Sequence, residues 1–223
     1  MNKSFLFDLD GVLINDEQIW EDKKQVLYRE LFGHDVVVNI GSTLGVNIDG
    51  IYERAVALGA KTSKRELTDA FYELAEGIYG TAPIPDGLDE LAKTLNMLNY
   101  RIGIVSASPL LWITTVTKRL TFEKDIEVII SLTERTDLAH KPAPDGYLEA
   151  MRVLGATPET TIILEDSNSG IKSAKASGAL TVGLRQNLAA GYRQVGADQF
   201  AETIEDVIKI VAKHSKSLNS SLL

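Results

Sequence analysis

Five short apolar runs, most of them separated by stretches of helical periodicity, limit what this chain can fold into more than any other feature. They are Phe5–Phe7, Ile102–Val105, Val128–Ile130, Thr161–Leu164 and Leu180–Leu184. Each is too short for a helix and lacks polar alternation, the mark of a strand buried on both faces. Leu88, Leu91, Leu95 and Leu98 recur at helical spacing before the second run, and Leu110, Leu111, Ile113, Val116 and Leu120 after it. A helix from about Asp145 ends near Gly155, another follows Ser169, and Ile204, Val207, Ile208 and Val211 mark a last one. Strands alternating with helices predict an α/β fold built on a doubly wound parallel sheet. Ligands of such sheets bind beyond the carboxyl ends of the strands.

The first strand breaks the rhythm. More than 90 residues separate it from the second, too many for one crossover. Three amphipathic patterns fill the gap: Ile19, Trp20, Val26, Leu27 and Leu31; Ile51, Ala55 and Leu58; and Leu67, Phe71, Leu74 and Ile78. Ser63 and Glu66 stand at capping-box spacing before the third. The expected organisation is a core of residues 1–15 and 83–223 with a helical domain, residues 16–82, inserted through Ile14–Asp16 and the proline-bearing "TAPIPDG" (81–87). The tail "HSKSLNSSLL" is polar, then weakly apolar, and is expected to fray.

Composition narrows the chemistry. The chain has 31 acids, 23 bases and a formal charge of −8, with no basic block, so nucleic acid is not expected as a partner. It has no cysteine, which removes disulfides, thiolate metal sites and cysteine nucleophiles. No apolar run approaches a membrane span, and the apolar opening stops at Asp8, too early for a signal peptide. The expected location is the cytoplasm, as a monomer or weak homodimer.

The strand ends carry the informative residues. Asp8 and Asp10 follow the first strand, Ser106 the second, and Glu165 and Asp166 the fourth, while Lys141 stands in "HKPAPDGY" ahead of it. Singly, each has a plain reading: a solvated acid, a turn serine, a surface lysine, a helix cap. Together, on one edge of a parallel sheet, four acids, a hydroxyl and a lysine converge. Like charges at that density call for a cation. The donors are all oxygens, which suits Mg²⁺, an ion that prefers a site completed by a substrate phosphate. Ser106, the N–H groups after it (Ala107 first) and Lys141 are then the phosphate-binding candidates. Asp8 is placed to attack phosphorus and form an aspartyl phosphate, and Asp10 to protonate the leaving oxygen and later deprotonate water. His34, His140 and His214 are scattered, and none is read as a ligand.

"FDLDGVL", "VSAS", "HKPAPDGY" and "LEDSNSG", in that order, resemble the four motifs of the haloacid dehalogenase-like hydrolases, in the branch with a helical cap after the first motif. The resemblance implies a Rossmann-like core with strand order 5-4-1-2-3 and a mobile cap. It implies Asp8 as nucleophile, Asp10 as general acid/base, and Ser106 and Lys141 as phosphoryl-binding residues. It implies Mg²⁺ held by Asp8, Asp166 and the Asp10 backbone carbonyl, with Glu165 a further ligand or a group behind the ligands. An acid at position 10 implies a phosphate ester as substrate.

The expected activity is therefore a Mg²⁺-dependent phosphatase acting on a small phosphorylated metabolite. A phosphomutase of the β-phosphoglucomutase type is the first rival. The sequence departs from that type where a cap histidine and a cap arginine belong: Trp20 and its neighbours stand at the first, and "GSTLGVN" (41–47) has no base. A non-catalytic phosphate-binding protein and a receiver-like signalling module are further rivals. A retired enzyme has no reason to keep Asp10, and a receiver needs no insert of this length. Trp20 belongs either to the insert's own core or to the substrate pocket. Without a base in 41–47, monophosphates with an uncharged remainder are expected to be preferred over bisphosphates, phosphorylated di-acids and phosphoproteins.

Overall fold

The computed structural model describes residues 2–43, 46, 48–188 and 191–220. Six parallel strands form one sheet: β1 (Asn2–Phe7), β2 (Tyr100–Ser106), β3 (Ile126–Ser131), β4 (Ala156–Glu165), β5 (Leu180–Leu184) and β6 (Gln199–Ala201). Their order is β3-β2-β1-β4-β5-β6. The first five stand as the resemblance implies. The edge strand β6 is an addition, too short and too mixed in composition to have shown as an apolar run. β1 is central because it is apolar on both faces: Phe5, Leu6 and Phe7 are fully buried. Leu6 joins Tyr147, Ala150, Met151 and Leu154 in a cluster on one face, and by the alternation of a strand Phe5 and Phe7 point to the other.

The helices that cover the sheet are α5 (Leu88–Met97), α6 (Leu110–Thr117), α7 (Asp145–Leu154), α8 (Asn168–Ala176) and α9 (Ile204–Ser220). α7 stops at Gly155, whose φ of 62° is the left-handed turn that ends a helix at little cost to glycine. α6 turns Trp112, Ile113 and Val116 inward and leaves Leu110 and Leu111 exposed, so its buried stripe is narrower than the run of apolar residues suggested.

The chain divides into two compact units, Met1–Glu17 with Ala82–Leu223, and Gln18–Thr81. Four helices account for most of the second: α1 (Glu17–Phe32, beginning one residue before the unit), α2 (His34–Asn39), α3 (Ile48–Ala57) and α4 (Lys64–Thr81). Its core is Tyr28, Phe32, Val36, Ile40, Ile51, Ala55 and Leu67. The buried stripe of α1 differs from the expected one. Tyr28 and Phe32 stack at 5.3 Å while Val26 is exposed, because two aromatics one helical turn apart bury more area than a valine beside them. Trp20 stacks on Phe71 at 5.1 Å and meets Tyr79 edge-on at 6.2 Å, which makes it part of this unit's own packing. The capping box forms: Ser63 N–H donates to Glu66 Oε2 at 2.7 Å, and Glu66 N–H to Ser63 Oγ at 3.2 Å. Of the loop 41–47, Leu44, Gly45 and Asn47 lie outside the described residues.

The tail expected to fray is helical through Ser220, and residues 221–223 lie outside the described ones. Side chains at the amino ends of β1 and β2 bind it. Lys3 Nζ donates to Ser215 Oγ at 3.1 Å, and Tyr100 Oη and His214 Nδ1 share a hydrogen bond of 2.9 Å. Burial, with a smaller contribution from the Lys3 charge, lowers the His214 pKa below its ordinary 6.5. The unfolded chain therefore binds this proton more readily than the folded one. His214 contributes stability that is present above pH 6.5 and lost as pH falls through its depressed folded value. Replacing His214 with Gln, which can still meet Tyr100, should flatten the fall in melting temperature between about pH 7 and 5. An unchanged slope would remove His214 from the acid sensitivity.

Candidate active site

β1 carries its ladder one residue further, with Asp8 N–H donating to the Leu164 carbonyl at 3.0 Å, and then turns sharply. Gly11 makes the turn possible. Its φ is +71°, and a Cβ there would lie 2.0 Å from Asp166 Oδ2. Only a residue without a side chain lets the loop after β1 approach the acid after β4 so closely.

The parallel sheet brings Asp8, Glu165 and Asp166 together, with one carboxylate oxygen of each within 4.8 Å of the others. Asp8 is 7% exposed and Glu165 is fully buried. Lys141, reaching in from the loop before α7, donates to Asp8 Oδ1 at 2.6 Å and Glu165 Oε1 at 2.7 Å. Burial alone would depress this lysine, but Asp8 and Glu165 outweigh it and hold the pKa well above its ordinary value. Asp8 is pushed up to about 7 by burial first and by Glu165 next, with Lys141 opposing. Asp166 is raised well above the carboxylate range by burial and by Asp8 and Glu165. With all three carboxylates ionised, as a bound cation would favour, one ammonium leaves two negative charges in the cluster.

That imbalance tests the fit of a divalent cation. The donors are oxygens only and the residual charge is two, which matches Mg²⁺. Asp8 and Asp166 are the best placed to hold it. Glu165 is heavily committed: Oε1 accepts from Lys141 and from the Tyr147 hydroxyl at 2.6 Å, and Oε2 accepts from the Ser167 hydroxyl at 3.3 Å. Gly170 of α8 lets Glu165 lie this close, since a Cβ there would come within 1.8 Å of Oε1.

Ser106 ends β2 fully buried, and its Oγ accepts the Ser108 N–H at 2.9 Å, which folds the loop holding Ala107 into a tight turn. The Ala107 carbonyl accepts from the Thr133 hydroxyl. The Ser108 hydroxyl donates to Asp10 Oδ2 at 2.9 Å.

Five residues of this neighbourhood escaped the sequence reading: Asp16, Ser108, Tyr147, Asn187 and Gln194. Asn187 Nδ2 donates to the Gly11 carbonyl at 3.1 Å. Gln194 Nε2 donates to the Asp166 carbonyl at 2.5 Å and the Leu184 carbonyl at 2.7 Å, so the chain beyond β5 pins both halves of the Gly11–Asp166 contact. Ser108 and Tyr147 stand inside strings already singled out, and a count of hydroxyls there would have raised them. Asn187 and Gln194 carry no local signal.

A doubly wound sheet with this set of groups at its carboxyl edge fits a protein of phosphoryl-transfer chemistry. The chain belongs to the haloacid dehalogenase-like hydrolase family, which it matches over residues 5–184. It is 28% identical over 179 residues to hexitol phosphatase B of Escherichia coli K12, covering 77% of this chain and 78% of that protein. It is 29% identical over 192 residues to validoxylamine A 7'-phosphate phosphatase of Streptomyces hygroscopicus subsp. limoneus, covering 82% and 86%. Among solved structures, the β-phosphoglucomutase of Clostridium difficile superposes with a TM-score of 0.70 at 19% identity over 99% of this chain and all of that one. No helix among the described residues is long and apolar enough to cross a membrane.

Proposed function

We propose that this haloacid dehalogenase-like phosphatase is Mg²⁺-dependent and hydrolyses the monoester of a small, sugar-phosphate-like metabolite through an aspartyl phosphate on Asp8. The observation that carries the reading is the Asp8 carboxylate itself. It is buried, paired through Oδ1 to Lys141, and beside Asp166. A buried carboxylate held by a lysine has few plain structural uses, since burying such a pair seldom adds stability.

A divalent cation held by Asp8 and Asp166, with the Asp10 carbonyl as the resemblance implies, would supply charge neutralisation at the phosphate oxygens. The chain's own groups do the rest. Asp8 attacks phosphorus, the ester P–O bond breaks, and Asp10 gives its proton to the departing oxygen. In the second half Asp10 takes a proton from water as the water oxygen bonds to phosphorus. The acyl phosphate bond then breaks, releasing phosphate and restoring the Asp8 carboxylate. Ser106, the Ala107 N–H and Lys141 are assigned to the phosphoryl oxygens, and Glu165 to anchoring Lys141. The core unit, Met1–Glu17 with Ala82–Leu223, is assigned the chemistry. The helical insert, Gln18–Thr81, is assigned the choice of leaving group.

A relative named hexitol phosphatase B, whose name specifies the phosphate of an uncharged polyol, supports an uncharged remainder on the substrate. The test is kcat/KM over a panel of hexose, pentose and triose monophosphates, bisphosphates, phosphoglycolate and a phosphopeptide, with and without Mg²⁺. A hexose or pentose monophosphate should lead. A bisphosphate or phosphopeptide in first place, or full activity in EDTA, overturns the reading.

Asp10→Asn tests the acid–base role. Proton transfer is worth about 10²- to 10⁴-fold, so alkyl phosphates should lose a rate of that order. Aryl phosphates, whose leaving groups need little protonation, should lose far less. An equal loss on both would reduce Asp10 to a structural residue.

A further inference from the structure

Gln194 is held in a way that plain packing does not explain. It is 4% exposed, so its amide lies inside the core. Its Nε2 donates to two backbone carbonyls, Asp166 at 2.5 Å and Leu184 at 2.7 Å. Its Oε1 is buried with no hydrogen-bond partner among the described residues. A buried polar atom left unpaired costs its full desolvation, so the side chain keeps this geometry for its two donations while its own oxygen goes without. Those donations join two particular places. Leu184 ends β5, and Asp166 lies one residue beyond β4, past the last ladder pair of the two strands, Glu165 with Gly183. Gln194 supplies the cross-link that the sheet no longer gives there. Its neighbours dock beside it on the start of α8. Asn168 N–H donates to the Tyr192 hydroxyl at 2.8 Å, Asn168 Nδ2 to the Arg193 carbonyl at 2.9 Å, and Val195 N–H to Asn168 Oδ1 at 2.8 Å.

We propose that Gln194 is a positioning residue for the cation site: by tying the Asp166 carbonyl to the end of β5, it holds the Asp166 carboxylate beside Asp8 and raises the affinity of the pair for Mg²⁺. The proposal rests on the Mg²⁺ reading given above. One carboxylate oxygen each of Asp8, Glu165 and Asp166 lies within 4.8 Å of the others, so repulsion between ionised groups pushes Asp166 outward. A residue past the end of its strand yields to such a push unless its backbone is fixed. Mg²⁺ demands near-octahedral oxygens, so a ligand that swings away costs affinity. Partners that hold metal ligands in place are typically worth about 10- to 100-fold in metal affinity.

The experiment titrates Mg²⁺ into the metal-free full chain by calorimetry and follows the rate on p-nitrophenyl phosphate against Mg²⁺ concentration. It compares the wild type with Gln194→Met, similar in length and unable to donate. Tyr192→Phe is the control, since it removes a hydrogen bond of the same segment without touching Asp166. Gln194→Met should raise the Kd for Mg²⁺ by about 10- to 100-fold, with kcat at saturating Mg²⁺ close to the wild-type value. Tyr192→Phe should leave the Kd unchanged. Melting curves in EDTA report whether each variant folds. Should Gln194→Met fail to fold, Gln194→Asn, whose shorter amide cannot span both carbonyls, replaces it with the same expectation. An unchanged Kd, whatever the melting temperature, makes Gln194 a packing residue and overturns the proposal. Equal weakening in Tyr192→Phe overturns it too, by spreading the effect over the whole segment. Both results leave the Mg²⁺ reading intact. If the wild type itself binds no Mg²⁺ and keeps full activity in EDTA, that reading fails and the proposal falls with it.

Discussion

Asp8→Asn should abolish phosphate release while leaving the fold in place. The amide keeps the shape of the carboxylate but cannot attack phosphorus, and loss of an essential nucleophile costs on the order of 10⁴-fold or more. Phosphate release from the best substrate of the panel, with Mg²⁺ present, is the measurement. A variant retaining a few per cent of the wild-type rate would remove Asp8 as nucleophile. The same substitution has a second consequence. In the metal-free protein the Asp8 pKa is raised to about 7, so the folded state holds this proton more tightly than the unfolded chain does. Asp8 then contributes no penalty at low pH and a growing one as pH rises through about 7. In EDTA at about pH 8, Asp8→Asn should therefore melt above the wild type, and Mg²⁺ should narrow the difference by stabilising the wild type. Equal melting temperatures in EDTA would count against the crowding of carboxylates as a real cost.

Lys141→Met is the second large effect, and it should fall on stability as well as rate. Lys141 is nearly buried, and its ammonium bridges Asp8 and Glu165. Removing one partner of a buried ion pair leaves an uncompensated charge and typically costs roughly 3–5 kcal/mol. The charge left worst off is Glu165, which is fully buried. A double variant, Lys141→Met with Glu165→Gln, should recover a substantial part of the lost stability without recovering activity. Chemical denaturation of the four proteins of this cycle measures the coupling. Additive losses would mean that Glu165 does not depend on Lys141. Lost activity that returned with Glu165→Gln would place Lys141 in the scaffold and not on the phosphoryl group.

Much of this molecule was open to a reader of the sequence because the signals are local. A strand buried on both faces must be apolar along its length, so β1 to β5 announce themselves. Helices α3, α4, α5, α7 and α9 show in the spacing of their apolar residues, and the Ser63–Glu66 box lies within one turn. Asp8, Asp10, Ser106, Lys141, Glu165 and Asp166 could be nominated together because each stands beside a strand end, and a parallel sheet sends those ends to one edge.

Which groups meet across the chain, and what burial does to them, is settled by packing alone. The hydrogen bond from Asn187 to Gly11 joins residues 176 apart, and that from Tyr147 to Glu165 joins residues 18 apart. No periodicity encodes either. Trp20 could have been core or pocket by its type; its stacking on Phe71, from another helix, made it packing. The polar end of α9 could have frayed by its composition, and Lys3 and Tyr100 hold it. Asp16 is the sharpest instance. Its place in the sequence puts it on a connection, where an acid is ordinarily solvated, and only the folded turn around Gly11 buries it to 2% exposure, with the Gly11 N–H donating to its Oδ1 at 3.1 Å. Sequence determines residue type and local spacing, and so the elements and the chemistry on offer. The cost of burying a charge, and the partner that offsets it, exist only once distant segments have packed.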